Sequence, residues 1–433
     1  MDILIVFLIV FLVLSCLKVP LAHAMLGGAL VGLVMASKSL NMAPSTAYSS
    51  VDVFTYLAIP GFIFAGDLML HGKIAETILD EINKVGGKVK SVLGSFAVIL
   101  SMLFGTILGS STATVGLVGG MLIPKMSDYG YRREESGALI AASGILGILI
   151  PPSIQGITYA MATGQSILDV WISTVPIAFI IGPLFILINH IRCKTRLDAP
   201  AVNMEASVEK NVELKNKDNK FSMKSIPAFI APLIIFVGVF GGIFTPTEAS
   251  AVIVVYSLIV GIFVYKGLNS KNLYPLALKA AKSSAAIIIL IAFASVAGRM
   301  FTVTRLPSAL VDVIKGTNMS KNMFLLLLNI ILIVVGMFME TNTAILILAP
   351  LLMPIADMYG INLIHLGTIM LFNLQIGMLT PPFAANVFVA VKTADVPFNK
   401  ILGPLVPYVL VCIPVLILVT YVPWLSLFLV NLF

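Results

Sequence analysis

Gly144-Ile145-Leu146-Gly147-Ile148-Leu149-Ile150-Pro151-Pro152 reads as an apolar helix that ends on a double proline. The pattern returns later as Leu374-Gln375-Ile376-Gly377-Met378-Leu379-Thr380-Pro381-Pro382. At the same offset Pro124 matches Pro354, Tyr129-Gly130 matches Tyr359-Gly360, and Gly137 matches Gly367. Backbone in lipid cannot stay unpaired unless it is buried or lines a polar cavity. Paired interruptions at corresponding positions of two halves point to the binding site of a secondary transporter.

Composition sets the same frame. The chain is 59% hydrophobic and 11% charged, so it is read as a polytopic membrane protein. Its net charge of +7 rests on loop lysines and arginines, the bias of cytoplasmic loops. Basic and aromatic residues do not interleave, which excludes nucleic acid. Cys16, Cys193 and Cys412 are scattered and read as small hydrophobes. His23, His71, His190 and His365 are isolated, and no HExxH, CxxC, GxGxxG or Walker sequence occurs, so no enzyme is expected. Ile3 to Leu17 could serve as a signal-peptide core ahead of Ala22-His23-Ala24. Asp2 and the lack of a preceding basic residue favour a first span instead.

The expected fold is all-α, with about ten spans and two re-entrant hairpins. The spans are placed at about 3–17, 21–37, 52–70, 134–163 and 169–192, then 226–242, 247–266, 276–304, 362–392 and 402–430. Residues 1–195 form a first repeat, 196–224 a polar cytoplasmic linker, and 225–433 a second repeat. Segments 91–126 and 322–355 are broken by Gly109-Ser110-Ser111-Thr112 and Glu340-Thr341-Asn342-Thr343. Each is long enough for two half-helices with a polar tip; the competing reading is a kinked span. Charged amphipathic arms are expected at about 73–88 and 305–318. Lys84, Lys88, Lys90, Lys125, Arg132 and Arg133 flank the first hairpin and should be cytoplasmic, as should Arg192, Lys194, Lys215, Lys217, Lys220 and Lys224 around the linker. The exit of the second hairpin, with Asp357 and His365, should face the other side, against the weight of Arg305, Lys315 and Lys321 at its entrance. Five spans per half then give inverted repeats.

The tips offer Ser110, Ser111, Thr112, Thr341, Asn342 and Thr343, all neutral oxygen donors suited to a hard cation. Proline frees carbonyls of the preceding turn. Gly147 and Gly377 permit close backbone approach. Carbonyls and hydroxyls together suit Na⁺, while half-helix N-termini favour an anionic substrate. Glu340 has three readings: ion ligand, proton relay, or helix cap. Gly241-Gly242-Ile243-Phe244-Thr245-Pro246-Thr247-Glu248-Ala249-Ser250 reads as a turn in which Thr245 or Thr247 caps the next helix, with Glu248 in its first turn.

These stretches, with Ile59-Pro60-Gly61-Phe62-Ile63-Phe64-Ala65-Gly66, Ser153 after the first proline pair, and Met339-Glu340-Thr341-Asn342-Thr343-Ala344, cover nearly the whole chain. In combination they resemble the DctM-type large membrane subunit of tripartite ATP-independent periplasmic (TRAP) transporters, similar in turn to a wider group of Na⁺-coupled carboxylate carriers. The resemblance implies an elevator mechanism, Na⁺ coupling, a small four-helix membrane partner, and a soluble periplasmic substrate-binding protein. It implies one Na⁺ site at Ser110 with Gly147, Ile150 and Pro152, and a second at Thr341 with Gly377, Thr380 and Pro382. Substrate contacts are expected from Ser111, Thr112, Asn342, Thr343 and Ser153. Many family members carry an aspartate near Thr114; this chain has none, so no role for that carboxylate carries over. The chain begins at the large subunit, so the small partner is expected as a separate polypeptide. The expectation is therefore an importer of small organic acids in the bacterial inner membrane. A stand-alone Na⁺-coupled carboxylate carrier is the rival.

Overall fold

The computed structural model describes residues 2–85, 90–196 and 223–432, which are helical and connected by short turns. Lys88, Lys215, Lys217 and Lys220 and most of the linker lie outside the described residues. The side chains of Lys84, Lys90 and Lys194 do too. Among the described residues eight helices are long and apolar enough to cross a bilayer, or up to nine if the bent pair Arg133–Leu149 and Ile154–Thr163 is one span.

Helix Lys321–Phe338 shows why this is a membrane fold. Phe324, Leu325, Leu328, Leu332 and Gly336 are buried on one face, while Leu326, Ile330, Ile331, Val334 and Phe338 are exposed on the other. Both faces are apolar. In water the outer one would be a large hydrophobic patch; in lipid it is the contact surface.

The two halves repeat element by element. Arm helices Ile74–Val85 and Leu306–Gly316 precede the hairpins. On the first arm Ile74, Ala75, Ile78 and Glu81 face inward while Glu76 and Asp80 face out, and Glu81 accepts a hydrogen bond from Ser225 Oγ at 2.6 Å. Each hairpin then consists of two helices: Lys90–Leu108 with Ser111–Asp128, and Lys321–Phe338 with Thr341–Met358. The second hairpin closes at its base, where the Tyr359 hydroxyl donates to Met319 O at 2.7 Å and the Tyr359 ring stacks on Phe324. At the base of the first, Asn189 lies against Gly94 and accepts from the Tyr131 hydroxyl at 3.4 Å. These contacts decide against a kinked span in both halves.

The proline pairs interrupt the next helices at matching points. Arg133–Ser143 and Leu146–Leu149 lead to Pro151-Pro152, and helix Ile154–Thr163 follows. Leu363–Gly377 leads to Pro381-Pro382, and helix Ala385–Ala394 follows. Helices Ile167–Arg196 and Phe398–Tyr421 close the two halves.

Hairpins and broken helices pack together with Ile167–Arg196 and Phe398–Tyr421, and the broken helices, buried almost throughout up to their proline pairs, form the centre. Helices Asp2–Cys16, Leu21–Met35, Met42–Val51, Ala58–His71, Pro246–Ile259 and Ser270–Val303 pack mainly on one another at one side. The buried carboxylate of Asp67 joins two of these, held 2.6 Å from Lys279 Nζ.

Several boundaries shift. The first two helices have 15 residues each, less than the about 20 that cross a bilayer untilted. The last expected span, 402–430, is instead Phe398–Tyr421 followed by the short helix Pro423–Leu427, because Pro423 supplies no N–H to continue the ladder. Helix Met42–Val51 was not anticipated. His365, in the first turn of helix Leu363–Gly377, is buried, with Nδ1 3.0 Å from Ser426 Oγ and Nε2 3.3 Å from Thr420 O.

Candidate functional site

Each site is built where a hairpin tip meets a broken helix. The crossing needs glycine. A Cβ on Gly105 would lie 2.1 Å from Gly147 Cα, and one on Gly377 would lie 2.6 Å from Gly336 Cα. The first arm of each hairpin therefore touches its broken helix backbone to backbone, one turn before the proline pair. The tip is also tied to the residue beyond the prolines. Ile154 N donates to Gly109 O at 3.4 Å in the first half, and Phe383 N donates to Met337 O at 3.0 Å in the second.

At the first tip Gly109 takes a left-handed φ of 57°, which turns the chain between the two arms. Ser110 is extended and caps the next helix: its Oγ accepts from Ala113 N at 3.5 Å and lies 3.3 Å from Thr112 Oγ1. The Thr114 hydroxyl donates to Ser110 O at 2.8 Å and stands against Gly147. Gly147, Ile150 and Pro152 are all buried, and residues 150–153 lie between helices, where carbonyls leave the ladder.

At the second tip Glu340 is the cap. Its carboxylate accepts from Asn342 N at 2.9 Å, Thr343 N at 3.2 Å and Asn342 Nδ2 at 2.8 Å. Of its three readings, this geometry is that of the cap. Thr341, Asn342 and Thr343 are buried. Gln375 Nε2 donates to Thr341 Oγ1 at 3.0 Å, so the broken helix reaches the tip through a side chain. Gly377 is buried, Thr380 half-buried with its hydroxyl donating to Ile376 O at 2.9 Å, and Pro382 exposed.

The tips also reach across to the opposite half. Ser111 Oγ donates to Asn386 Oδ1 at 2.7 Å, on the helix after the second proline pair. Asn342 Oδ1 accepts from Thr158 Oγ1 at 3.0 Å, on the helix after the first. Together with the Ile154 N–Gly109 O and Phe383 N–Met337 O bonds, these link the N-terminal ends of helices Ser111–Asp128, Thr341–Met358, Ile154–Thr163 and Ala385–Ala394, so their positive dipole ends share one region.

The structure thus sets the first tip against Gly147 and Pro152 and ties Thr341 to Gln375 and Met378, with Ser111 and Asn342 bridging the halves, while Ile150 and Thr380 stand just before the proline pairs. Ser153 sits apart from the tips in role: its Oγ accepts from Gly156 N at 3.1 Å, its carbonyl accepts from Trp171 Nε1 at 3.0 Å, and it is buried. Thr245, not Thr247, caps the turn after Phe244, with Thr245 N donating to Glu248 Oε2 at 2.8 Å and Glu248 N donating to Thr245 Oγ1 at 3.3 Å.

Sequence reasoning missed Asn386, Thr158 and Gln375. The first two stand on largely apolar helices and carry no mark of their partner. Gln375 stood inside the repeated stretch, polar where the first copy has Ile145. Among the described residues no group of three or more His, Cys, Asp or Glu side chains lies together. A cation held at the tips would meet hydroxyl, amide and backbone oxygens. Those oxygens fit one: Thr343 Oγ1 and Gln375 Oε1 are buried with no hydrogen-bond partner.

Comparison with known proteins agrees with this architecture. The family described as tripartite ATP-independent periplasmic transporter, DctM component, matches residues 5–425. The C4-dicarboxylate TRAP transporter large permease protein DctM of Pseudomonas aeruginosa is 34% identical over 94% of this chain and 93% of its own. The sialic acid TRAP transporter large permease protein SiaM of Vibrio cholerae is 29% identical over 96% of this chain and 95% of its own. The isethionate TRAP transporter permease protein DctMQ of Oleidesulfovibrio alaskensis is 32% identical over 95% of this chain, which spans 64% of that protein. Among solved structures, the YdaH transporter of Alcanivorax borkumensis, whose topology is described as unusual, superposes with a TM-score of 0.58 over 89% of both chains at 14% identity, a likeness of fold alone.

Proposed function

The chain belongs to the DctM-component family of tripartite ATP-independent periplasmic transporters, and from that membership we propose that it is the Na⁺-coupled, elevator-type permease for a small organic acid in the bacterial inner membrane. Large permeases of this family are transport proteins, not enzymes, and work with a small membrane subunit and a periplasmic binding protein. The small subunit is proposed here as a separate four-helix chain.

One observation carries the reading. Two constellations of tip and broken helix recur at matching positions within apolar helices, and at the second the Thr343 hydroxyl and the Gln375 amide oxygen are buried without a hydrogen-bond partner. Neutral oxygens bind a monovalent cation weakly enough to release it. Proposed Na⁺ ligands are Ser110, Gly147, Ile150 and Pro152 at the first site, and Thr341, Gly377, Thr380 and Pro382 at the second. Ser111, Thr112, Asn342, Thr343 and Ser153 are proposed to face the substrate. Four helix N-termini meeting between the tips favour a carboxylate there. C4-dicarboxylate, sialic acid and isethionate, named for the relatives, are all anions of the class proposed for this chain.

The repeats are proposed to be inverted, so that one tip faces each side of the membrane. Hairpins and broken helices, with Ile167–Arg196 and Phe398–Tyr421, would then slide as one body past the peripheral helices. A docked binding protein can gate this motion if it prefers one end state. Moving that balance from 1:99 to 99:1 takes about 5.5 kcal/mol of differential affinity.

The test is uptake in proteoliposomes with the small subunit and candidate binding proteins, with and without a Na⁺ gradient. Uptake should need all three components and the gradient, and Ser110→Ala and Thr341→Ala should each weaken its Na⁺ dependence. Robust uptake by this chain alone would promote the stand-alone carrier. Unchanged Na⁺ dependence in both variants would move the ion sites elsewhere.

A further inference from the structure

Position by position, the second half supplies oxygens that the first does not. Gln375 corresponds to Ile145, Thr343 to Ala113 and Thr380 to Ile150. Gln375 is fully buried, and its amide lies between Thr341 and Met378, with Nε2 3.0 Å from Thr341 Oγ1 and 3.7 Å from the Met378 sulfur. Its Oε1 has no hydrogen-bond partner. A buried amide carbonyl left unpaired is costly and calls for a reason. Thr343 Oγ1, two residues from Thr341, is buried and unpartnered as well. Of the five such side-chain atoms among the described residues, four lie on the hairpin arm or broken helices: Gln155 Oε1, Thr343 Oγ1, Asn373 Oδ1 and Gln375 Oε1. The fifth, Ser257 Oγ, lies on a peripheral helix.

The geometry points to Gln375 as a side-chain ligand of the monovalent cation at the second tip, and therefore to two ion sites of unequal strength. This rests on the Na⁺-coupled reading above. The amide's terminal torsion is broad and roughly two-fold, and its O and N occupy nearly equivalent positions. In the structure the N–H₂ end donates to Thr341 Oγ1. A half-turn of the amide exchanges the ends and presents the carbonyl oxygen beside the Thr341 hydroxyl, where a cation can take both. An amide carbonyl is a hard neutral donor with a larger dipole than a hydroxyl. The second site gains it, while Ile145 offers the first site nothing of the kind. The first site has the Thr114 hydroxyl in its place, already donating to Ser110 O at 2.8 Å. The second site should bind Na⁺ more tightly and be the first to fill.

The experiment is thermal unfolding of the full-length purified chain in detergent across a NaCl titration, with KCl holding ionic strength constant. Wild type, Gln375→Leu, Gln375→Glu and Ile145→Leu are compared. Wild type should show Na⁺-specific stabilisation. Gln375→Leu should raise the midpoint of its tighter phase by about tenfold or more, Gln375→Glu should lower it, and Ile145→Leu should leave it in place. A Gln375→Leu midpoint equal to wild type would overturn the proposal while leaving the Na⁺ reading intact. Should Gln375→Leu fail to fold, Gln375→Glu decides: a carboxylate at an ion ligand strengthens Na⁺ binding, whereas one at a purely structural amide position leaves the midpoint where it is. Absence of any Na⁺-specific stabilisation in wild type would sink the Na⁺ reading and this proposal with it.

Discussion

The two hairpin tips hold the same place in their halves and share almost no side chains. The first reads Ser110-Ser111-Thr112-Ala113-Thr114 and the second Glu340-Thr341-Asn342-Thr343-Ala344. What they share is backbone: an extended residue before the helix, a side-chain cap, a glycine crossing, and a proline pair. Their surroundings differ too. Pro151, Pro152 and Ser153 are buried, whereas Pro382 and Phe383 are exposed. The repeat conserves the shape that lets a helix end inside an apolar body, and leaves the chemistry at that end free to diverge.

The largest effect that could break this comparison is all-or-none. Single cysteines at Arg132 and Tyr359, matching ends of the two hairpins, should label from opposite sides of the membrane with an impermeant thiol reagent. Labelling from one side would mean the halves are not inverted.

Next in size comes the glycine crossing. A Cβ on Gly377 meets Gly336 backbone carbon at 2.5 Å and Ile333 O at 2.9 Å, and backbone cannot yield. On Gly147 the closest atom is the Thr114 Oγ1 side chain at 2.6 Å, with Gly105 Cα at 3.1 Å. Overpacking of this kind costs about 1–3 kcal/mol, and Gly377→Ala should fall at the upper end and Gly147→Ala at the lower. Thermal unfolding in detergent and uptake in proteoliposomes should rank the two in that order; the reverse would mean that the first crossing is the tighter one.

The smallest effects belong to the caps. Glu340 accepts from two backbone N–H groups and one amide, so Glu340→Ala should destabilise by about 1–2 kcal/mol. Ser110 holds only Ala113 N, at 3.5 Å, so Ser110→Ala should cost about 0.5 kcal/mol. Equal losses in thermal stability would show that Glu340 does no more than Ser110 as a cap. A loss of Na⁺-dependent uptake far exceeding the stability loss for Glu340→Ala would restore its reading as an ion ligand.

Much of this was legible without coordinates because the signals are local. A double proline cannot continue a helix wherever it sits, and a stretch of about 18 apolar residues reads as membrane-embedded from composition alone. The polar breaks Gly109-Ser110-Ser111-Thr112 and Glu340-Thr341-Asn342-Thr343 stand where helices Ser111–Asp128 and Thr341–Met358 begin. Helix Met42–Val51 escaped because Pro44 and its run of serine, threonine and tyrosine lack an apolar period. That His365 is buried against Ser426 was not legible, because one histidine near a turn does not reveal its partner.

The sequence by itself determined that this is a two-fold repeated membrane protein with interrupted helices, and which residues stand at the interruptions. Those follow from hydropathy, proline stereochemistry and spacing, which act within one segment. Only the tertiary structure decided which segments meet: that Ser111 reaches Asn386 and Asn342 reaches Thr158, each across the halves, and that Gln375 lies against Thr341 with its carbonyl unpaired. Such pairs are far apart in the chain, and their energy appears only when the intervening helices have packed. A single sequence carries the donor and the acceptor but not the distance between them.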